Sequence, residues 1–125
     1  MAARVLKADA VVEGVLAVLL VGGAAIGKLG AGDYPSPVDA SVVAAMGIVL
    51  VPVAFVLWRL AGAQHIPPRW LRSIAIANAA TALLATACLL LADGFSVGGA
   101  AIVVATVVAL TCLAVAQLTA ARAGA

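Results

Sequence analysis

Ala8-Asp9-Ala10-Val11-Val12-Glu13-Gly14-Val15-Leu16 sets two carboxylates four residues apart at the entrance to an apolar run. Four residues is close to one helical turn, so in a helix Asp9 and Glu13 share a face. From Gly14 to Ile26 no further charge occurs, which is the pattern of a membrane-crossing helix. Glu13 then falls inside the hydrocarbon region, where an ionisable group is costly and turns toward protein or water. The rest of the chain has to supply a membrane bundle that encloses such a group.

Composition agrees. The chain has 125 residues, 66% of them hydrophobic and only 10% charged, which is too apolar for an ordinary soluble domain. Apolar stretches of roughly 20 residues, the length that spans a bilayer core, occur four times and leave short connections between them. The sequence therefore predicts an all-α integral membrane protein, one transmembrane domain over residues 1–125, with spans at about 8–26, 41–60, 71–92 and 97–119. Arg4 and Lys7 ahead of the first span, with Gly23, Ala24 and Ala25 at its far end, have the layout of a secretory signal, but Glu13 in the apolar region argues against cleavage. The net charge of +2 comes from residues near the membrane surface and leaves no nucleic-acid footprint. Acidic lipid headgroups are the natural counter-ions.

Each span has its own punctuation. The first ends at Gly27-Lys28-Leu29-Gly30, and Gly23 and Gly27 form a G-x-x-x-G spacing that permits close helix approach. Asp33-Tyr34-Pro35-Ser36-Pro37-Val38-Asp39 is the longest polar segment, and Asp39 or Ser41 would cap the second helix. That helix carries Pro52 in mid-membrane, which predicts a kink, and finishes at Trp58-Arg59, a pairing suited to headgroup depth. Pro67 and Pro68 separate it from the third helix, and His65 in the connection stands alone, so a surface-loop position is expected. Asn78 and Thr81 sit on neighbouring turns of the third helix and are expected on one face. Asp93 and Gly94 form the next turn. Thr106 and Thr111 lie inside the fourth helix and Gln117 near its end, with a frayed tail expected from Ala120 onward. The threonines are expected to bond backbone carbonyls within their own helices.

Arg4 and Lys7 precede span one, Arg59, Arg69 and Arg72 flank the middle loop and Arg122 follows span four, whereas the other two loops contribute only Lys28. The positive-inside rule then places both termini in the cytoplasm, in an up-down-up-down bundle of the plasma (inner) membrane. With this topology Asp9, Glu13, Arg72, Asn78 and Gln117 fall in the cytoplasmic half. Glu13 and Asn78 each lie roughly 8 Å below the inner interface, at 1.5 Å per residue, and are expected to meet across helices one and three. Function assigns Glu13 the role of acid or base toward a lipophilic small molecule, Asn78 that of orienting it, and Asp9 and Arg72 control of ionisation and entry. Structure alone would have Asp9 pair with Arg72 or Lys7, and Glu13 bond Asn78 to hold the helices in register. Cofactor-free chemistry such as isomerisation, cyclisation or epoxide opening fits these groups.

Other chemistries lack their residues. There is no H-x-x-x-H and no glycine-rich phosphate loop. One histidine in a loop supplies neither a metal site nor haem ligation. Cys88 and Cys112 differ in depth by roughly 15 Å in antiparallel spans at 1.5 Å per residue, too far for a disulfide, and are expected as packing residues.

Three resemblances follow from these residues. Through Ala8-Asp9-Ala10-Val11-Val12-Glu13-Gly14 and Ala77-Asn78-Ala79-Ala80-Thr81, in an Ala- and Val-rich chain, the sequence resembles small four-helix integral membrane proteins of high-GC actinobacteria. Through Gly27-Lys28 it is distantly similar to the DoxX-like group. Both likenesses imply the bundle and supply no activity. In length, four spans and a membrane glutamate in the first helix, here Glu13, it is also similar to the small multidrug resistance transporters. That likeness implies proton-coupled alternating access by a dimer, but the spans here have few of the aromatic residues with which those transporters hold cationic drugs. A third class is an accessory subunit that packs on a larger membrane partner through small-residue faces, Gly23 with Gly27 or Gly94 with Gly98.

Overall fold

The structure, a computed structural model, describes residues 1–26, 40–91, 95 and 97–123. Among these residues the chain forms four α-helices: α1 Ala2–Ile26, α2 Ala40–Ala61, α3 Pro68–Leu91 and α4 Val97–Arg122. The helices coincide with the four apolar stretches, and their ends differ in informative ways. α1 begins six residues before the apolar run because Ala2 and Leu6 are buried against the other helices, so packing extends the helix through its charged first turns. α2 runs unbroken through Pro52, whose side is exposed. It closes with short-range bonds from Gly62 N to Arg59 O (3.2 Å) and Ala63 N to Leu60 O (3.1 Å), which satisfy carbonyls of its last turn. α3 starts on Pro68, which has no amide hydrogen to leave unpaired in a first turn. The expected caps at Asp39 and Asp93, the Gly23/Gly27 and Gly94/Gly98 pairs and the polar segment after α1 lie wholly or partly outside the described residues.

The expectation of a frayed C-terminal tail is corrected. α4 continues to Arg122, and Ala120 and Ala121 are buried. They join Ala2, Leu6 and Ala10 of α1, Leu57 and Ala61 of α2, Ile66 of the connection and Leu71 of α3 in one cluster. Alanine is what lets four helix ends converge, since its side chain keeps backbones close.

Burial is distributed inside out relative to a soluble protein. Many large aliphatic side chains point outward, with Leu91 and Val97 85% and 90% exposed, while Asp9, Glu13, Asn78 and Gln117 are buried. In water such a surface would be an aggregation site; in a bilayer it is the correct solvent-facing layer, and small residues and polar bonds hold the helices together instead. α2 (over Val43–Ala61), α3 and α4 are each long and apolar enough to cross a membrane, as expected of a membrane protein.

The helices associate unevenly. α1 packs extensively on α2 and α3 on α4, and the two pairs are joined mainly through α1 and α4, while among the described residues α3 has little backbone approach to α1 or α2. α1 and α2 cross closely at Gly47 of α2, where a β-carbon would lie 2.8 Å from Val21 Cγ2, 3.0 Å from Leu20 Cβ and 3.1 Å from the Ala17 carbonyl oxygen. Hydroxyls are satisfied locally: Thr81, Thr106 and Thr111 donate to the carbonyls of Ala77, Ile102 and Val107 at 2.7–2.8 Å, as the sequence predicts. Cys88 and Cys112 are both free.

Candidate functional site

The inward face of α1 is a stripe of Ala2, Leu6, Asp9, Ala10, Glu13 and Ala17 at spacings of three and four, and the outward face carries Val11, Val15, Val18 and Leu19. The amphipathicity is thus inverted, with the two carboxylates on the protein side. Opposite them, α3 turns Leu71, Ala75, Asn78 and Ala82 inward, and α4 contributes Leu110, Leu113, Ala114 and Gln117. Asp9, Asn78 and Gln117 thus face one another across the three helices.

Asp9, Asn78 and Gln117 form one hydrogen-bonded triad across α1, α3 and α4. Asn78 Nδ2 donates to Asp9 Oδ2 at 2.9 Å and to Gln117 Oε1 at 3.1 Å. Gln117 Nε2 donates to the same Asp9 Oδ2. Asp9 and Gln117 are completely buried. One carboxylate oxygen therefore receives both amides, and the other, Asp9 Oδ1, is buried with no hydrogen-bond partner. An orphaned acceptor in a site whose other lone pairs are so well served marks a place where something else can bond.

This geometry revises the sequence expectation in three respects. Asn78 reaches Asp9, not Glu13, and Glu13, buried one turn along α1, makes no hydrogen bond or ion pair among the described residues. Asp9 is the centre of the cluster and not its rim. Arg72 is exposed and pairs with neither carboxylate, so it does not belong to the cluster. Lys7, the other expected partner of Asp9, is exposed and lies 5.6 Å from the centroid of the Trp58 ring, over its face. Asn78 and Thr81 are also divided, Asn78 buried and Thr81 exposed with its hydroxyl turned back on its own helix.

Gln117 completes the triad and entered the sequence reading only through its depth. A signal was present: Leu110, Leu113, Ala114 and Gln117 recur at helical spacing on one face of α4. Gly47 had no comparable signal, because its importance depends on which residues of α1 cross it.

No metal-binding group of three or more His, Cys, Asp or Glu side chains occurs among the described residues. His65 is exposed, as expected of a connection, and with Gln64, Ile66, Met1 and Ala123 it borders an open hollow of about 350 Å³ at the end where the four-helix cluster lies. None of the triad residues lines that hollow. The site's chemistry is confined to a carboxyl held by two amides, a second carboxyl one turn away, and an apolar surround. Compared with protein-family models, curated proteins and solved structures, the chain matches none.

Proposed function

We propose that this chain is a four-span protein of the plasma membrane that binds a lipophilic small molecule at the intramembrane carboxyl of Asp9, near the cytoplasmic leaflet. The observation that carries the proposal is the asymmetry of that carboxyl: Oδ2 accepts from both Asn78 and Gln117, while Oδ1 is buried and bare. A group whose only task was to tie helices together would be expected to use both oxygens, since each unmade bond in an apolar interior costs about 1–3 kcal/mol. Asn78 and Gln117 fix the ring of donors and the orientation of the carboxyl. Glu13, one turn deeper, is positioned to exchange a proton with a group bound at Asp9, so acid-base chemistry without a cofactor is open to this site.

α1 serves as the fourth span. Its polar side faces protein and its aliphatic side faces outward, which suits a helix in lipid despite its charges. The cluster that joins the start of α1, the end of α2, the start of α3 and the end of α4 supports an alternating path. Arg4, Lys7, Arg59, Arg69, Arg72 and Arg122 belong to those same ends and are all exposed. A basic end of this kind faces the cytoplasm. Because Oδ1 is shut off, a ligand enters as α3 parts from α1, two helices with little backbone approach.

The test is mass spectrometry of small molecules extracted from the purified wild-type chain, from Asp9→Asn and from Glu13→Gln. A compound retained by the wild type and lost from Asp9→Asn is expected. Identical extracts containing only bulk lipid from all three would remove the ligand reading and leave the triad as a device for helix register.

A further inference from the structure

The end of the bundle where the four helices converge carries Arg4 and Lys7 on α1, Arg59 on α2, Arg69 and Arg72 on α3 and Arg122 on α4, all exposed. No ion pair engages any of them among the described residues. The two described acids, Asp9 and Glu13, are buried, so the described surface of this end bears one sign of charge. Arg59 and Arg122 lie in the last turns of α2 and α4, where the helix dipole favours a cation. Arg4 and Arg69 lie in the first turns of α1 and α3, where it disfavours one, and neither turn contains an acid. Lys7 and Arg72 follow three residues later on the same helices, so each helix start also holds a like-charge pair of surface neighbours. Orientation in a bilayer asks only for basic residues beside the spans; it does not ask for them where the helix itself opposes them. Negative charge from outside the chain turns that placement from a cost into a gain.

The same end has a place to receive it. The open hollow of about 350 Å³ is bordered by Ala2 and Ala3 of α1, Gln64 and His65 of the connection and Ala120 and Ala123 of α4, and none of its lining residues is acidic. Its volume is at the small end of the roughly 300–1,000 Å³ of ligand pockets, which suits a headgroup and not a whole lipid. Arg4 and Arg122 are chain neighbours of its border, and Gln64 and His65 bring N–H donors. Trp58 and Trp70, each half-exposed and each beside an arginine, belong at headgroup depth. An anion that arrives at this depth already attached to acyl chains needs no further anchor.

We propose that the hollow seats the phosphate of an anionic phospholipid headgroup, held by the unpaired cations around it, with the acyl chains along the aliphatic exterior of the helices. Arginine and lysine are the side chains suited to phosphate. This site is separate from Asp9 and holds whether or not a ligand binds there.

Trp58 and Trp70 are the chain's two tryptophans, so their fluorescence reports on this end alone. The experiment titrates phosphatidylglycerol and phosphatidylcholine, both with the same brominated, tryptophan-quenching acyl chains, into the purified full chain in dodecyl maltoside. Phosphatidylglycerol is expected to quench half-maximally at about a tenfold lower lipid-to-detergent ratio, a difference that two cations at a membrane surface suffice to supply. The preference is expected to vanish in Arg4→Gln/Arg69→Gln, and in the wild type at about 0.5 M salt, where the screening length falls well below 10 Å. Ala63→Phe/Ala123→Phe, at exposed positions on the border, fills the hollow without changing charge and is expected to reduce the preference. Equal quenching of the wild type by the two lipids would overturn the proposal without recourse to any variant. A preference that survives intact in Arg4→Gln/Arg69→Gln would remove the first-turn cations from it, and one that survives intact in Ala63→Phe/Ala123→Phe would remove the hollow. Loss of the preference to millimolar inorganic phosphate, and not to chloride of equal ionic strength, would overturn the lipid in favour of a free anion.

Discussion

Gly47→Ala tests whether α1 and α2 cross where the structure places them. The added methyl would sit 2.8 Å from Val21 Cγ2, 3.0 Å from Leu20 Cβ and 3.1 Å from the Ala17 carbonyl oxygen. Carbon atoms in comfortable contact are about 3.5–4.0 Å apart, so roughly half an ångström or more must be found. Side-chain rotation supplies little of it: Leu20 Cβ and the Ala17 oxygen are fixed to the backbone of α1, and a β-branched valine in a helix is held near one rotamer. The helices must separate, at an overpacking cost of about 1–3 kcal/mol. Against this, replacing glycine by alanine inside a helix gains about 1 kcal/mol. Gly14→Ala and Gly22→Ala isolate that gain, since a β-carbon at either position meets nothing within 4 Å. The expected result is that Gly47→Ala unfolds less stably than the two controls by about 1–3 kcal/mol, the overpacking cost alone, in denaturant titrations of the detergent-solubilised protein followed by circular dichroism. A Gly47→Ala protein as stable as Gly14→Ala would refute the crossing and with it the packing that turns the carboxylate face of α1 inward.

Other perturbations separate the triad from its surroundings. Asn78→Leu, which deletes two interhelical bonds, should lower unfolding stability by about 1–2 kcal/mol, given about 0.6 kcal/mol for an average bond of this kind in a membrane and about 1.7 at most. Thr81→Val, on the exposed side of the same helix, should change stability by no more than about 0.5 kcal/mol in the same titration. Arg72→Ala should leave both unfolding and the pattern of extracted small molecules unchanged, because the side chain is exposed and touches neither carboxylate; a lost ligand would return Arg72 to the site. Ala120→Leu, at a fully buried position where four helix ends meet, should cost about 1–3 kcal/mol by overpacking, measured as a lower midpoint of thermal unfolding.

Hydropathy made the four helices legible because apolar length is a local property, and the threonine bonds were legible because they close within one turn. The identity of Asn78's partner was not. Depth counting places residues along a helix to within about a turn, and one turn is the whole separation of Asp9 from Glu13. Arg72 was drawn to the site by charge and depth, yet direction around the helix excludes it: at about 100° per residue, Arg72 lies some 120° from Asn78, whereas Leu71 and Ala82 lie within about 40° and are buried with it. Gln117 was passed over because nearness to the end of a span reads as headgroup depth. α4 instead continues beyond it to Arg122, which keeps Gln117 inside the bundle. Ala120 and Ala121 read as a frayed tail since alanine carries no signal alone; their value is set by the three other helix ends beside them.

The triad also has consequences for the order in which the protein is made. Asp9 is separated from Asn78 by 69 residues and from Gln117 by 108. At about 5–20 residues per second of synthesis, the ribosome reaches Gln117 roughly 5–20 s after Asp9. Until Asn78 is made α1 exists with its carboxylates and without either amide, and until Gln117 is made it lacks the second. On the proposed four-span reading, α1 finds its polar partners only once α3 and α4 have arrived. On the four-span reading, the last helix made is the one that completes the interior toward which the first turns its carboxyls.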